Sequence, residues 1–199
     1  MRSYEDKAIS EGFFTVAGID EAGRGPLAGP VVASAVVFPD GYTNPLITDS
    51  KKITPKKRAT LYEEIYRDAV TVGIGIIDAV EIDRINILQA ALLAMAIAVD
   101  NLFPHPDYLL IDGKFTIASP IPQAAIVRGD SASISIAGAS IVAKVTRDII
   151  MERYHLDYPE FGFSAHKGYP TKAHREVILQ HGPTPIHRMS FRGSHVRQQ

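Results

Sequence analysis

The segment from Phe13 to Phe38 constrains this chain more than any other. Phe13 to Ile19 is rich in β-branched and aromatic residues and reads as a strand, and Val31 to Phe38 reads as a second. Between them, Gly25-Pro26 and Gly29-Pro30 punctuate a turn. The prolines matter because Gly23-x-Gly25-x-x-Ala28 matches the loose dinucleotide-binding fingerprint. That fingerprint must open a helix, whose N-terminus holds the pyrophosphate. Here Pro26 and Pro30 interrupt, and Val31 to Phe38 is too β-branched to be that helix. A nicotinamide enzyme would return as a reading only if residues 31–38 were helical.

Periodicity supplies the rest of the frame. Thr54-Pro55 reads as an N-cap with proline at the first helical position, followed by a helical stripe of Leu61, Tyr62, Ile65, Tyr66 and Ala69. Val70 to Ile77 reads as a strand. Asn86 to Leu102 is a helix apolar nearly all round, and so is expected to be largely buried. Tyr108 to Ile111 and Ala124 to Val127 are short strands ending at Asp112-Gly113 and Arg128-Gly129-Asp130. Ser133 to His155 reads as a long helix with Ile134, Ala137, Ile141 and Val145 on an apolar face. Ser140, Lys144, Arg147 and Asp148 make a separate polar face. After Phe161 the chain reads as loop, then as a last helix from Thr171 to His181, stopped by Gly182-Pro183. This order predicts an α/β layered domain. At 199 residues we expect one domain over 1–199, with about 156–199 as a C-terminal helical and loop extension packed on it.

Composition narrows the class. There is no cysteine, which excludes disulfide frameworks and zinc-thiolate sites and fits a cytoplasmic location. Met1 to Glu11 carries three acids and two bases without an apolar run, so no signal peptide is expected there. Ala90 to Val99 is too short to span a bilayer, and no membrane association is expected. The net charge is −1, but Lys51, Lys52, Lys56, Lys57 and Arg58 cluster, as do Arg188, Arg192 and Arg197. Each group is read as a local basic surface able to hold phosphates. No oligomer signal is visible, and a monomer is expected.

Chemistry is expected at the strand ends. Asp20-Glu21, Asp112 and Asp130 each sit just past a predicted strand, where side chains of an α/β sheet converge on one crevice. Hard oxygen ligands of this kind suit Mg²⁺ or Mn²⁺. Two such ions roughly 3.5–4 Å apart can clamp the attacking and leaving oxygens of phosphoryl transfer. Taken singly, each acid has a plainer role. Asp20 and Glu21 would point to opposite faces of a regular strand and can share a site only if the chain bends. Asp112 before glycine is a turn residue, and Asp130 could cap the long helix. Asp148 is a rival acid, read as a structural ion pair with Lys144. The seven histidines show no metal-ligand spacing and are assigned to surface or packing roles.

Longer motifs go further. Gly18-Ile19-Asp20-Glu21-Ala22-Gly23-Arg24-Gly25-Pro26-Leu27-Ala28-Gly29-Pro30-Val31 closely resembles the opening signature of the ribonuclease HII (type 2 ribonuclease H) family. Further segments resemble that family in order: Asp49 to Lys52, Leu110 to Gly113, Gly129-Asp130 with Ser135 to Asp148, His166 to Thr171, and His187 to Phe191. The resemblance implies a ribonuclease H-like fold, a central mixed sheet flanked by helices. It implies endonucleolytic cutting of RNA paired to DNA and incision 5′ of single ribonucleotides in duplex DNA, with 3′-hydroxyl and 5′-phosphate ends. It assigns Asp20, Glu21, Asp112 and Asp130 as catalytic, metal-binding acids, preferring Asp130 to Asp148. It assigns the Gly23-Arg24-Gly25 turn to the 2′-hydroxyl, a group that marks RNA against DNA, and Tyr169 to the next, deoxy sugar. Lys51, Lys52, Ser140 and Lys144 are candidate phosphate contacts. Gly138 departs from the family, which generally has alanine there, at a cost of up to about 1 kcal/mol of helix stability. A different ribonuclease H-like nuclease, or a nucleic-acid binding module without catalysis, are the alternatives to this reading.

Overall fold

The computed structural model describes residues 1–48, 50 and 53–194. Alternation along two strands decides its layering. β1 (Val16–Ala22) pairs antiparallel with β2 (Val31–Val37), whose other edge takes β3 (Thr71–Ile77), also antiparallel. On the far side of β1, β4 (Tyr108–Asp112) and then β5 (Gln123–Ile126) add in parallel. The result is one five-stranded mixed sheet in the order β3-β2-β1-β4-β5.

Helices cover both faces. Ala17, Ile19, Ala33, Ala35 and Val37 share a core with Leu109, Ile111 and the small residues Ala90, Ala94 and Ala98 of the helix Ile87–Asp100. On the opposite face Val36 packs with Ile134, Ala137 and Ile141 of Ile134–Asp157, and with Leu61 and Ile65 of Pro55–Asp68. With α1 (Ser3–Ser10) and Ala79–Ile85 before them, these helices become α2 (Pro55–Asp68), α3 (Ala79–Ile85), α4 (Ile87–Asp100) and α5 (Ile134–Asp157). With residues 31–37 a strand, the dinucleotide reading falls. Among the described residues no single helix is long and apolar enough to cross a membrane.

α5 lies directly on β1. A Cβ placed on Gly18 would stand 2.1 Å from the backbone carbon of Ser135, so main chain touches main chain there. Gly138 lets α5 come close to the end of β2, since its Cβ would sit 2.9 Å from the Phe38 ring. The start of α5 is fixed by Ser133, whose hydroxyl accepts from the Ile136 amide. That hydroxyl donates to Glu5 of α1 at 2.6 Å, and the same Glu5 oxygen accepts from the Ser135 amide. Asp130 is therefore not the cap of this helix; it sits in a 3₁₀ turn, Gly129–Ser131, just before it.

Several expectations need correction. β1 begins at Val16 rather than Phe13, because the amides of Phe14 and Thr15 bond to the Asp107 carboxylate instead. It also runs on through Asp20 and Glu21, since pairing with β2 continues to Ala22↔Val32. The acid pair thus lies in the strand, not past its end. α3 was not foreseen. It is short, capped by Asp78, and divided from α4 by Asn86 at φ 69°, whose side chain caps α4. The polar stripe of α5 faces inward, with Ser140 and Arg147 buried. Arg58 and Arg188 are also buried, so neither belongs to a basic surface. In the C-terminal part a short helix, α6 (Phe163–His166), stands in the expected loop, followed by α7 (Lys172–His181) with Thr171 as its cap. Phe161, Phe163 and Ile178 from this part pack with Leu27, Ala28 and Met151 beneath the β1–β2 turn.

Candidate active site

Parallel pairing brings two of the acids together. β1 and β4 are in register through Ile19↔Ile111, so the next residues, Asp20 within β1 and Asp112 at the end of β4, stand side by side. Alternation turns Asp20 toward α5 and Glu21 toward α4. Both nevertheless line one cleft, because β1 carries no β4 pairing beyond Ile19 and that edge is open on both faces. No bend is needed, contrary to the sequence argument.

The cleft has a volume of about 240 Å³. Asp20, Glu21, Gly23, Arg24, Gly25, Ser140, Lys144 and Tyr169 line it, joined by Ala22 and Ser50. Glu21 and Arg24 also face an adjoining hollow that contains Asp112 and the N-terminal part of α4. Asp112 accepts from the Gly129 amide at 2.7 Å. Asp130 is buried one residue further on and lines neither hollow. Lys51 and Lys52 fall outside the described residues.

Electrostatics single out the acid pair. Burial, then the Glu21 and Asp112 charges, hold the Asp20 carboxyl well above the usual carboxylate range, and a hydrogen bond from Ser140 opposes them. With the Ser140 proton directed at Asp20, the Ser50 hydroxyl donates to Ser140, 2.9 Å away. Ser50 is itself pinned by Arg58, whose guanidinium donates to its carbonyl. Burial also raises Glu21, against the pull of Arg24, which donates to it at 3.2 Å. Lys144 meets Asp148 at 2.6 Å, the ion pair expected from their spacing. Burial pushes the Lys144 ammonium down while Asp148 pulls it up.

The turn that closes the cleft is held from behind. Arg147 is 1% exposed and donates to the carbonyls of Pro30, Ala28 and Lys167. Arg188 is 0% exposed and donates to those of Gly23, Arg24, Pro26 and Gly29. Burial lowers them to about 10 and about 9, so both remain cations at neutral pH. Tyr169, half-exposed at the mouth, has its carbonyl opposite Nδ1 of His174 at 2.9 Å, and Nε2 of that ring meets Nε2 of His187 at 3.1 Å. The sequence put Arg58 and Arg188 in basic clusters and Ser50 and Arg188 in family segments, but gave none of the three a role in holding this site. Arg147 alone had a signal for its place, two helical turns from Ser140 on the same stripe.

Among the described residues no three Asp, Glu, His or Cys side chains stand close enough to hold a metal ion between them. What the cleft offers is an open site with hard oxygen donors, of the kind Mg²⁺ completes with water and substrate phosphates.

A mixed sheet that sets two acids side by side on adjacent strands, facing a glycine turn, fits the class of α/β nucleases. Residues 17–194 match the family model "Ribonuclease HII". The chain is 52% identical over 199 residues to ribonuclease HII of Syntrophus aciditrophicus, covering 100% of this chain and 94% of the relative. Its identity to the Geobacter metallireducens enzyme is 55% over 191 residues, with 96% and 90% covered. The fold is similar to the crystal structure of ribonuclease H2 from Pyrococcus horikoshii, with TM-score 0.76 and 27% identity over 90% of this chain and 95% of that one. The chain belongs to the ribonuclease HII family and has its ribonuclease H-like fold. It is a hydrolase, an endonuclease acting on RNA–DNA hybrids.

Proposed function

We propose that this chain, acting as one catalytic unit over residues 1–199, also incises 5′ of single ribonucleotides embedded in duplex DNA. The cut leaves 3′-hydroxyl and 5′-phosphate ends. The observation that carries this reading is the pairing of two devices in one cleft: the acids Asp20 and Glu21, and the Gly23-Arg24-Gly25 turn with Tyr169 beside it.

In this reading Asp20, Glu21, Asp112 and Asp130 hold Mg²⁺ or Mn²⁺. The raised proton affinity of Asp20 and Glu21 supports it, because a cation relieves the burial and repulsion that cause it. Bound there, a divalent ion supplies charge to polarise a water and stabilise the leaving oxygen. Ser140 orients Asp20, and with Lys144, Lys51 and Lys52 it meets the phosphates of the cut strand. Amides and carbonyls of the glycine turn receive the 2′-hydroxyl, and Tyr169 packs on the deoxy sugar that follows. The protein works as a cytoplasmic monomer that removes ribonucleotides in replication and repair.

A duplex DNA carrying one ribonucleotide tests the reading. With Mg²⁺ or Mn²⁺ titrated in, the strand is cut on the 5′ side of the ribonucleotide and an all-deoxy duplex is left whole. If RNA–DNA hybrids are cut and this duplex is not, the ribose assignment is wrong.

A further inference from the structure

A guanidinium has five N–H donors, and Arg188 uses all of them on main chain. Nε and Nη2 both reach the Gly29 carbonyl, at 2.9 and 2.8 Å. Nη2 also donates to Gly23 at 2.6 Å, and Nη1 to Pro26 at 2.9 Å and to Arg24 at 3.1 Å. The Phe191 ring lies over a face of the cation, 5.1 Å away. No donor is left over, so Arg188 does not bind substrate. Its work is done on the turn.

The direction of that work follows from peptide geometry. The Gly23–Arg24 and Arg24–Gly25 peptides are trans, so each N–H points opposite to its C=O. With the carbonyls of Gly23 and Arg24 drawn back to Arg188, the amides of Arg24 and Gly25 point away from it. Residues 23–25 line the cleft. The guanidinium charge also polarises these peptides, which strengthens their amides as donors. Gly23 must accept φ +99° for the turn to close, and a Cβ there would overlap the Arg147 side chain.

We infer that Arg188 is the positioning residue for ribose selection: it presents the Arg24 and Gly25 amides to the cleft, where a 2′-hydroxyl oxygen accepts from them. This rests on the proposed reading that the turn meets the ribose. A deoxyribose lacks the oxygen and leaves aimed donors without an acceptor, the arrangement that discriminates most strongly against a missing hydroxyl. Lysine cannot replace Arg188, having three donors on a point charge instead of a planar fork.

The test measures selection, which simple loss of stability does not change. Binding of a ribonucleotide-containing duplex and of the same all-deoxy duplex is compared in EDTA, so that neither is cut. Wild-type protein is expected to prefer the ribonucleotide duplex. Arg188→Lys is expected to lose that preference by about 10-fold or more, binding both duplexes as wild type binds the deoxy one. A folded Arg188→Lys protein that keeps the wild-type preference overturns the inference. Should that variant not fold, wild-type NMR decides. The Arg24 and Gly25 amides and the Arg188 Nε–H are expected to shift together with the ribonucleotide duplex and not with the deoxy one. Amides that respond while Arg188 Nε–H stays still overturn the inference as well. A wild-type protein with no ribose preference overturns the reading beneath it, a result distinct from either.

Discussion

Asp20 and Glu21 form one wall of the cleft, and burial raises the proton affinity of both. Arg147 and Arg188 lie behind the other wall, at least as deeply buried, yet their guanidinium groups are occupied by seven backbone carbonyls between them. Both sets are charges in a dry place. One is held in tension with its neighbours, the other is satisfied by main chain. The difference separates chemistry from architecture: the strained carboxylates are the groups that the proposed cation would relieve, whereas the guanidiniums, satisfied by main chain, hold a shape.

The sharpest way to break this comparison is Asp112→Asn. It removes charge from the acidic wall while leaving an oxygen for the Gly129 amide. On the proposed metal reading, cutting of RNA–DNA hybrid should fall by about 10³-fold or more, with duplex affinity kept. Near wild-type rates would place the chemistry elsewhere.

The turn can be probed by two neighbouring substitutions. Gly23→Ala forces a side chain to φ +99° and into Arg147, and should cost about 3 kcal/mol or more. At about 2–4 °C per kcal/mol, melting should drop by about 6–12 °C. Gly25→Ala meets only Tyr169, at 3.6 Å, and its melting should match wild type while ribose selection weakens. Equal melting temperatures for the two variants would contradict the packing of Arg147 against Gly23.

A smaller effect comes from behind Tyr169. Burial lowers His174 and His187 to about 4, so both rings stay neutral in the fold. The unfolded chain takes up protons near pH 6.5, so stability falls as the pH drops from about 6.5 to about 4. The loss is of order 1–3 kcal/mol, and urea midpoints across that range should track it. A flat profile would mean that the folded rings take up protons as readily as the unfolded ones.

The smallest effect has the opposite sign. Asp20 binds its proton more tightly folded than unfolded, so its ionisation weakens the fold increasingly as pH rises. In metal-free buffer at pH 7, Asp20→Asn should stabilise the protein by about 0.5–2 kcal/mol. Mg²⁺ should raise the wild-type melting temperature and leave that of the variant nearly unchanged. A destabilised Asp20→Asn would show that the acidic wall is not under tension.

Much of this was legible in the sequence, for identifiable reasons. A β-branched run, helical stripes and cap or stop residues placed β2, α2, α5 and α7 to within about two residues, because those signals are local. The extension of β1 through Glu21 was not legible, since it depends on pairing with β2 across the turn. α3 escaped because its break from α4 depends on one asparagine at positive φ. The motif grouped eight residues that line one cleft, but it could not show Arg188 as buried. An arginine's burial is decided by the carbonyls it finds, and those lie about 160 positions earlier in the chain.

Gly18 bears on temperature as well as on packing. Most layers of a protein are spaced by side chains, which gain rotamers and loosen on warming. Between β1 and α5 at Gly18 there is no such spacer, only one peptide against another. The gap between Asp20 on the strand and Ser140 on the helix is therefore set by a contact with no internal freedom to excite. It should hold its width as the rest of the molecule softens toward melting.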